Sequence, residues 1–360
     1  MKSVKTISEQ VLSNITLCSE LYLKFHEVTI YLNTNSSELV KRLVLYYGDF
    51  CISKDSKDIE ADIKITAVEG IFKYPDIKFK VKNPDPPKTR IKEEYYDGLD
   101  GRIVRKVLTG MVFIFTPSIN IAIGKCLENY NQVINFINNR YIEFMIKKGC
   151  LLFHAAAVSN HLYGAAICGF SGMGKSTLAL KLLENGLFFI SNDRLLASKT
   201  GDGQIEMYGV PKLPRVNPGT ILSSDYLVDI IPEDEKKMYK RLEEGDLWDF
   251  EHKYDIDIDS IFGRGKFLMK SKMNFIFILN WSRSGSSIYI NEVDIKNRMD
   301  LLPAFVKSPG LFYLQYDNVK EKNVSSIDYI ALLSNCHVFE ITGKVDFKEA
   351  TNFILRKLEF

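Results

Sequence analysis

The eight residues Gly169–Phe170–Ser171–Gly172–Met173–Gly174–Lys175–Ser176 fit the pattern G-x-x-x-x-G-K-[ST] at every fixed position. No other stretch restricts the fold as much. Its glycines let the backbone turn so that successive N–H groups can point inward, and the pattern functions only between a strand and a helix. GAAIC, ending at Cys168, reads as that strand. Lys175 to Glu184 reads as the helix, stopped by Asn185–Gly186, because glycine tolerates the left-handed conformation at a helix end. LFFI then reads as a second strand that delivers Ser191–Asn192–Asp193. Strand, loop, helix, strand is the unit of a parallel sheet, whose ligands collect at the C-terminal ends of strands. The expected fold class is therefore α/β.

Such a loop grips phosphate. The helix beginning near Lys175 adds its positive N-terminal end. Lys175 can reach the β- and γ-phosphates of a nucleotide, and the Ser176 hydroxyl can ligate Mg²⁺. Gly169, Ser171, Gly172, Met173, Gly174 and Thr177 complete the expected phosphate-binding set. Asp193 follows Lys175 by only 18 residues. An acid at a strand end beside a phosphate loop is suited to holding the metal, and here it arrives on the very next strand.

The rest of the chain bounds the reading. With 360 residues there is room for two modest domains. The formal charge of +2 gives no basic field to recruit nucleic acid or an anionic membrane. MKSVKTISEQ lacks the apolar core of a signal peptide. The most apolar long window, Val107 to Gly124, is broken by Thr109, Thr116, Pro117, Ser118 and Asn120, which suits buried strands. Six scattered cysteines without C-x-x-C spacing read as free thiols in a reducing cytoplasm. Residues 1–125 read as a mixed α/β domain of unknown role. It holds a helix from Ser37 to Tyr47, ended by Gly48, and strands in ADIKITAV, IKFKV, MVFIF and INIAI. Asn83 to Arg90 reads as a loop, since it holds three prolines in four residues. Leu127 to Lys148 carries a helical stripe stopped by Gly149. LLFHAAAV reads as one buried strand, NFIFIL and HVFEI as two more, and Phe347 to Lys357 as a closing helix.

HAAAV, then GFSGMGKSTLALKLL, then a short strand into SNDR, resembles the catalytic domain of the HPr kinase/phosphorylase family. The continuation SNDRLL…MYGVPKLPRVNPGT resembles the HprK-related proteins, more narrowly the branch called HprK-related kinase B. The same order of elements is distantly similar to ATP-dependent phosphoenolpyruvate carboxykinase. The resemblance is tight from Asn129 to Thr220. It implies a P-loop kinase domain over 126–360, with ATP and Mg²⁺ as cofactors. It implies that Asp193 holds the metal with Ser176, and that His154, the histidine before the loop, steers or charges the reacting groups. The first acid of the family's pair, the base toward the substrate hydroxyl, is Asn192 here, and an amide does not accept that proton near neutral pH.

Three readings of Asn192 stay open. His154 is the base; or no strong base is needed, since phosphoryl transfer rests mostly on positioning and charge stabilisation; or the chain is a nucleotide-binding switch without transfer. The acceptor would be an unidentified protein or small-molecule hydroxyl, and a homo-oligomer is allowed. A carboxykinase would need further metal and substrate ligands upstream of His154, and none stands out.

Downstream, Val210 to Gly219 places Lys212 and Arg215 in a loop stiffened by three prolines, where two cations can be held for phosphoryl oxygens at little entropic cost. Phe250–Glu251–His252–Lys253, followed by Phe262–Gly263, faintly resembles the family's signature segment and would put Glu251 and Lys253 at the active-site end. Asp255, Asp257 and Asp259, alternating with Ile256 and Ile258, read as a strand with one solvated acidic face. Pro232 to Asp249 reads as an exposed charged helix, with Trp248 as its anchor.

Overall fold

Two sheet systems account for the alternating apolar runs, each with its own core. The computed structural model describes residues 2–53, 59–73, 77–84, 89–239, 241, 252–314 and 325–359. These fall into two units, one holding residues up to 148 with 309–314, the other 149–308 with 325–359. Glu251, Trp248 and half of the charged segment lie outside the described residues.

The first unit is built on a sheet that has nine strands among the described residues. A hairpin of Ser19–Phe25 and Val28–Thr34 turns at His26, and Ile63–Glu69 and Asn120–Gly124 add in parallel beside it. Val112–Phe115, Arg102–Lys106 and Glu93–Asp97 continue as an antiparallel meander. One face is covered by the helix Val4–Leu12, through Val4 and Ile7 against Val112, Ile114 and Ile121. The helix Ser37–Tyr47 ends at Gly48 as its sequence requires, with φ of 52° there.

The helix Tyr130–Lys147, expected with the second domain, belongs to this unit, so the division falls at 148 rather than at 125. Its Tyr141 and Phe136 rings pack 5.4 Å from Phe25 and 4.9 Å from Phe113, centroid to centroid. Its buried Arg140 pairs with Glu143, lies 4.4 Å over the Phe115 ring, and donates to the Phe312 carbonyl. Glu143 also accepts from Leu314 N at 3.2 Å. One ion pair thus fastens the late segment 309–314, whose Phe312 ring enters the same core.

In the second unit a six-stranded sheet runs in the order Phe188–Ser191, Ala155–Ser159, Gly164–Gly169, Phe275–Ser282, His337–Lys344, Ile288–Glu292. Its central strands are buried on both faces, hence their unbroken apolar sequences. Ala165, Ile167, Phe277 and Leu279 face the helices Lys175–Glu184 and Phe347–Leu358. Ala166, Cys168, Ile276 and Ile278 face a second, four-stranded sheet of Leu151–Phe153, Leu195–Lys199, Ile205–Tyr208 and Lys270–Lys272.

Three local readings change. LLFHAAAV is two strands in two different sheets, broken at His154, whose N–H leaves the ladder for the Phe305 carbonyl at 2.7 Å. Phe188–Ser191 does not lie beside the loop strand: Ala155–Ser159 runs between them, antiparallel to both. The acidic alternation at 255–259 is not one strand. Tyr254–Asp255 is a short strand, Asp257 caps the helix Ile258–Phe262 through Ser260 N, and Asp259 accepts from Lys266 N and Phe267 N. Side-chain oxygens that satisfy orphan helix donors override the period-two pattern there. The described part of the charged segment forms the helix Glu233–Tyr239, and Tyr239 is buried rather than solvated.

Candidate active site

The loop closes as its glycines require. Gly172 and Gly174 hold φ of 84° and 86°, and a Cβ on Gly174 would meet the Phe347 ring at 2.6 Å. Trp281 Nε1 donates to the Met173 carbonyl at 3.0 Å and packs edge-on against Phe347, bracing the loop from beneath. Lys175, only 9% exposed, donates from Nζ to the Gly169 and Phe170 carbonyls at 2.7 and 3.0 Å. Burial pushes its ammonium below the ordinary lysine value, against the pull of Cys168 and Asp193. An anion in the loop would relieve that cost.

At the end of Phe188–Ser191 the chain makes a tight turn. Asp193 sits in the left-handed region at φ 68°, strained for a residue with a Cβ. The buried Ser191 hydroxyl bonds the Arg194 carbonyl across the turn and accepts from Val210 N at 3.1 Å. The proline-rich loop is thereby fastened to the acid. Arg215 pairs with Asp255 on the adjoining strand at 3.2 Å.

These elements converge on a cleft of about 330 Å³ lined by His154, Ser171, Gly172, Lys175, Ser176, Asn192, Asp193, Lys212, Leu213, Arg215 and Lys253. Ten of the expected residues line it, Lys253 among them. Gly169, Met173 and Gly174 shape it from behind, and Thr177 is buried away from it, its hydroxyl 2.8 Å from that of Thr220. Inside, Ser176 Oγ donates to Asn192 Oδ1 at 2.7 Å. His154 Nε2 stands 3.1 Å from Asp193 Oδ1. Lys307, which no local pattern marks, donates to Asp193 Oδ2 at 3.0 Å and to the Asp193 carbonyl at 3.1 Å. Burial works to raise the Asp193 carboxyl, but the His154 hydrogen bond and the Lys307 ammonium outweigh it and hold the group well below the usual carboxylate range. Burial, with Arg194, Arg215 and Lys307 nearby, pushes Lys212 below the ordinary lysine value.

Among the described residues no cluster of three or more His, Cys, Asp or Glu side chains could hold a metal. The oxygens of Ser176, Asn192 and Asp193 beside the glycine-rich loop are nevertheless a donor set that Mg²⁺ can take. That ion keeps several waters and takes one or two protein oxygens plus phosphate rather than a full protein cage. Among the described residues no helix is long and apolar enough to cross a membrane.

No protein-family model matches the sequence. No curated protein matches it. Among solved structures, the HPr(Ser) kinase/phosphatase from Coxiella burnetii aligns with 14% identity over 58% of this chain and 87% of that chain, at a TM-score of 0.26.

Proposed function

We propose that this chain is a phosphotransferase that uses Mg-ATP and delivers the phosphoryl group to a hydroxyl on a protein or a small molecule. The observation that carries the reading is the convergence of Lys175 and Ser176, Asp193, His154, Lys212 and Arg215 on one cleft. The loop and Lys175 would bind the phosphate chain. Ser176 and Asp193 would hold the metal, which supplies charge neutralisation between the phosphates. With Nε2 turned to Asp193, a neutral His154 carries its lone pair on Nδ1 and would take the acceptor's proton there. Lys212 and Arg215 would offset charge that builds on the transferred oxygens. The protein would work in the cytoplasm, where ATP is present.

One observation favours a second reading. Asn192 occupies the hydroxyl of Ser176 with an amide oxygen and offers no carboxylate. A nucleotide-dependent switch or slow ATPase needs none. The deciding experiment gives purified protein γ-labelled ATP and Mg²⁺, with and without a lysate of the source cells, beside Asp193→Ala. The kinase reading expects a labelled protein or metabolite that requires the lysate and vanishes in the variant. Nucleotide binding with hydrolysis alone, in wild type and in Asn192→Asp, would overturn it in favour of the switch.

A further inference from the structure

Both carboxylate oxygens of Asp193 are already engaged, by His154 on Oδ1 and Lys307 on Oδ2. A short piece of sheet builds that arrangement. Val306 bridges Phe153 antiparallel, His154 N donates to the Phe305 carbonyl at 2.7 Å, and Lys307 N donates to the Leu152 carbonyl at 3.2 Å. Zipping 305–307 onto 152–154 brings one residue from each strand to the same acid. Lys307 Nζ then touches two oxygens of one residue, the carboxylate and the backbone carbonyl of Asp193. An ammonium seated between two oxygens of one residue stands where a cation chelated by that residue would stand.

We propose that Lys307 is a resident cation: it holds Asp193 while no metal is bound, and must release that carboxylate for a divalent cation to take it. The inference rests on reading Asp193 as the metal's carboxylate. Its physical ground is charge. A carboxylate in a cleft needs a counter-charge, which Lys307 supplies. A divalent cation on the same oxygens would face that ammonium at close range, and two cations on one carboxylate repel. Lys307 therefore competes with the metal, and removing its charge should strengthen metal binding. A lysine that merely propped the acid in position would have the opposite effect when removed.

The test titrates Mn²⁺ into the full-length protein, alone and with ADP, and reads the free-ion electron paramagnetic resonance signal. Wild type is compared with Lys307→Gln, Lys307→Met, Lys307→Arg and Asp193→Asn. The proposal expects binding roughly three- to tenfold tighter in Lys307→Gln. Lys307→Met, which keeps the apolar stem, should gain similarly and serves if the amide variant does not fold. Lys307→Arg keeps the charge and should show no gain, and Asp193→Asn should lose the site. Unchanged or weaker binding in both neutral variants, with the site still lost in Asp193→Asn, would sink the competition and leave the metal reading standing. Wild-type binding in Asp193→Asn would remove the metal reading and the proposal together.

Discussion

Asp193 is the residue on which the ion pairs of the cleft converge, and its ionisation has a consequence for stability. Its carboxyl lies below the usual range in the folded protein, so folding favours the ionised form. The stabilisation is complete above the unfolded value, near 3.9, and is lost as pH falls through the lower folded value. The stability gap between wild type and Asp193→Asn should therefore be level near pH 5 and narrow as pH falls toward 2. Denaturant melts at stepped pH measure this. A gap unchanged down to pH 2 would mean that the pairs with His154 and Lys307 do not form in solution. Because the side chain is half exposed, the gap itself should be modest. The acid was legible in the sequence because its strand follows the loop helix directly. Lys307 was not, since it stands 114 residues away and no local spacing ties it to the acid.

At the scale of elements, the loop depends on its neighbours as much as on its own glycines. Gly172 and Gly174 share a positive φ, yet an added Cβ at Gly172 meets nothing within 4 Å, whereas at Gly174 it runs into Phe347. Gly172→Ala should cost about 1–2 kcal/mol, the strain of a left-handed residue. Gly174→Ala carries the same strain and must also displace the Phe347 ring, which packs edge-on against Trp281, so it should cost about 1 kcal/mol more. Thermal melts of the two variants, with Trp281 fluorescence read on Gly174→Ala, test the difference. Equal costs would show that Phe347 yields freely. Both helices were legible in the sequence to within a residue, because helical signals are local, the Asn185–Gly186 stop of the first among them. The contact between the loop and Phe347 was not, because it joins elements far apart in the chain.

For the whole molecule, the cysteines report on the integrity of both cores. All six are free. Cys126 in the first unit and Cys168 in the second are buried, and desolvation pushes each thiol up to about 12. Burial raises Cys150 in the same direction. Cys18 is exposed. Near neutral pH a thiol reagent should label Cys18 fast, while Cys126, Cys150 and Cys168 should react only as the protein unfolds. Mass-spectrometric mapping of the labelled sites checks this, and prompt labelling of Cys168 in the native protein would contradict the packing of the loop strand. If the loop binds nucleotide as proposed, saturating nucleotide should slow the Cys168 reaction further, since a ligand at 100 times its dissociation constant stabilises the fold by about 2.7 kcal/mol.

What the sequence determined by itself is what short range decides: the glycine-rich loop between its strand and helix, the acid on the next strand, the stiff loop with Lys212 and Arg215, and the ends of the helices Ser37–Tyr47, Lys175–Glu184 and Phe347–Leu358. Each rests on spacing, glycine or capping within a few residues. Tertiary structure decided the rest. It put Ala155–Ser159 between two strands expected to be neighbours, broke the run at His154 so that one residue could leave the ladder, and drew Lys307 onto Asp193. It also placed the helix Tyr130–Lys147 in the first unit. The physical reason is common to all four. Strand order, sheet exchange and ion pairing are settled by which distant segments bury apolar surface and satisfy backbone donors together, and a local pattern carries no record of its distant partner.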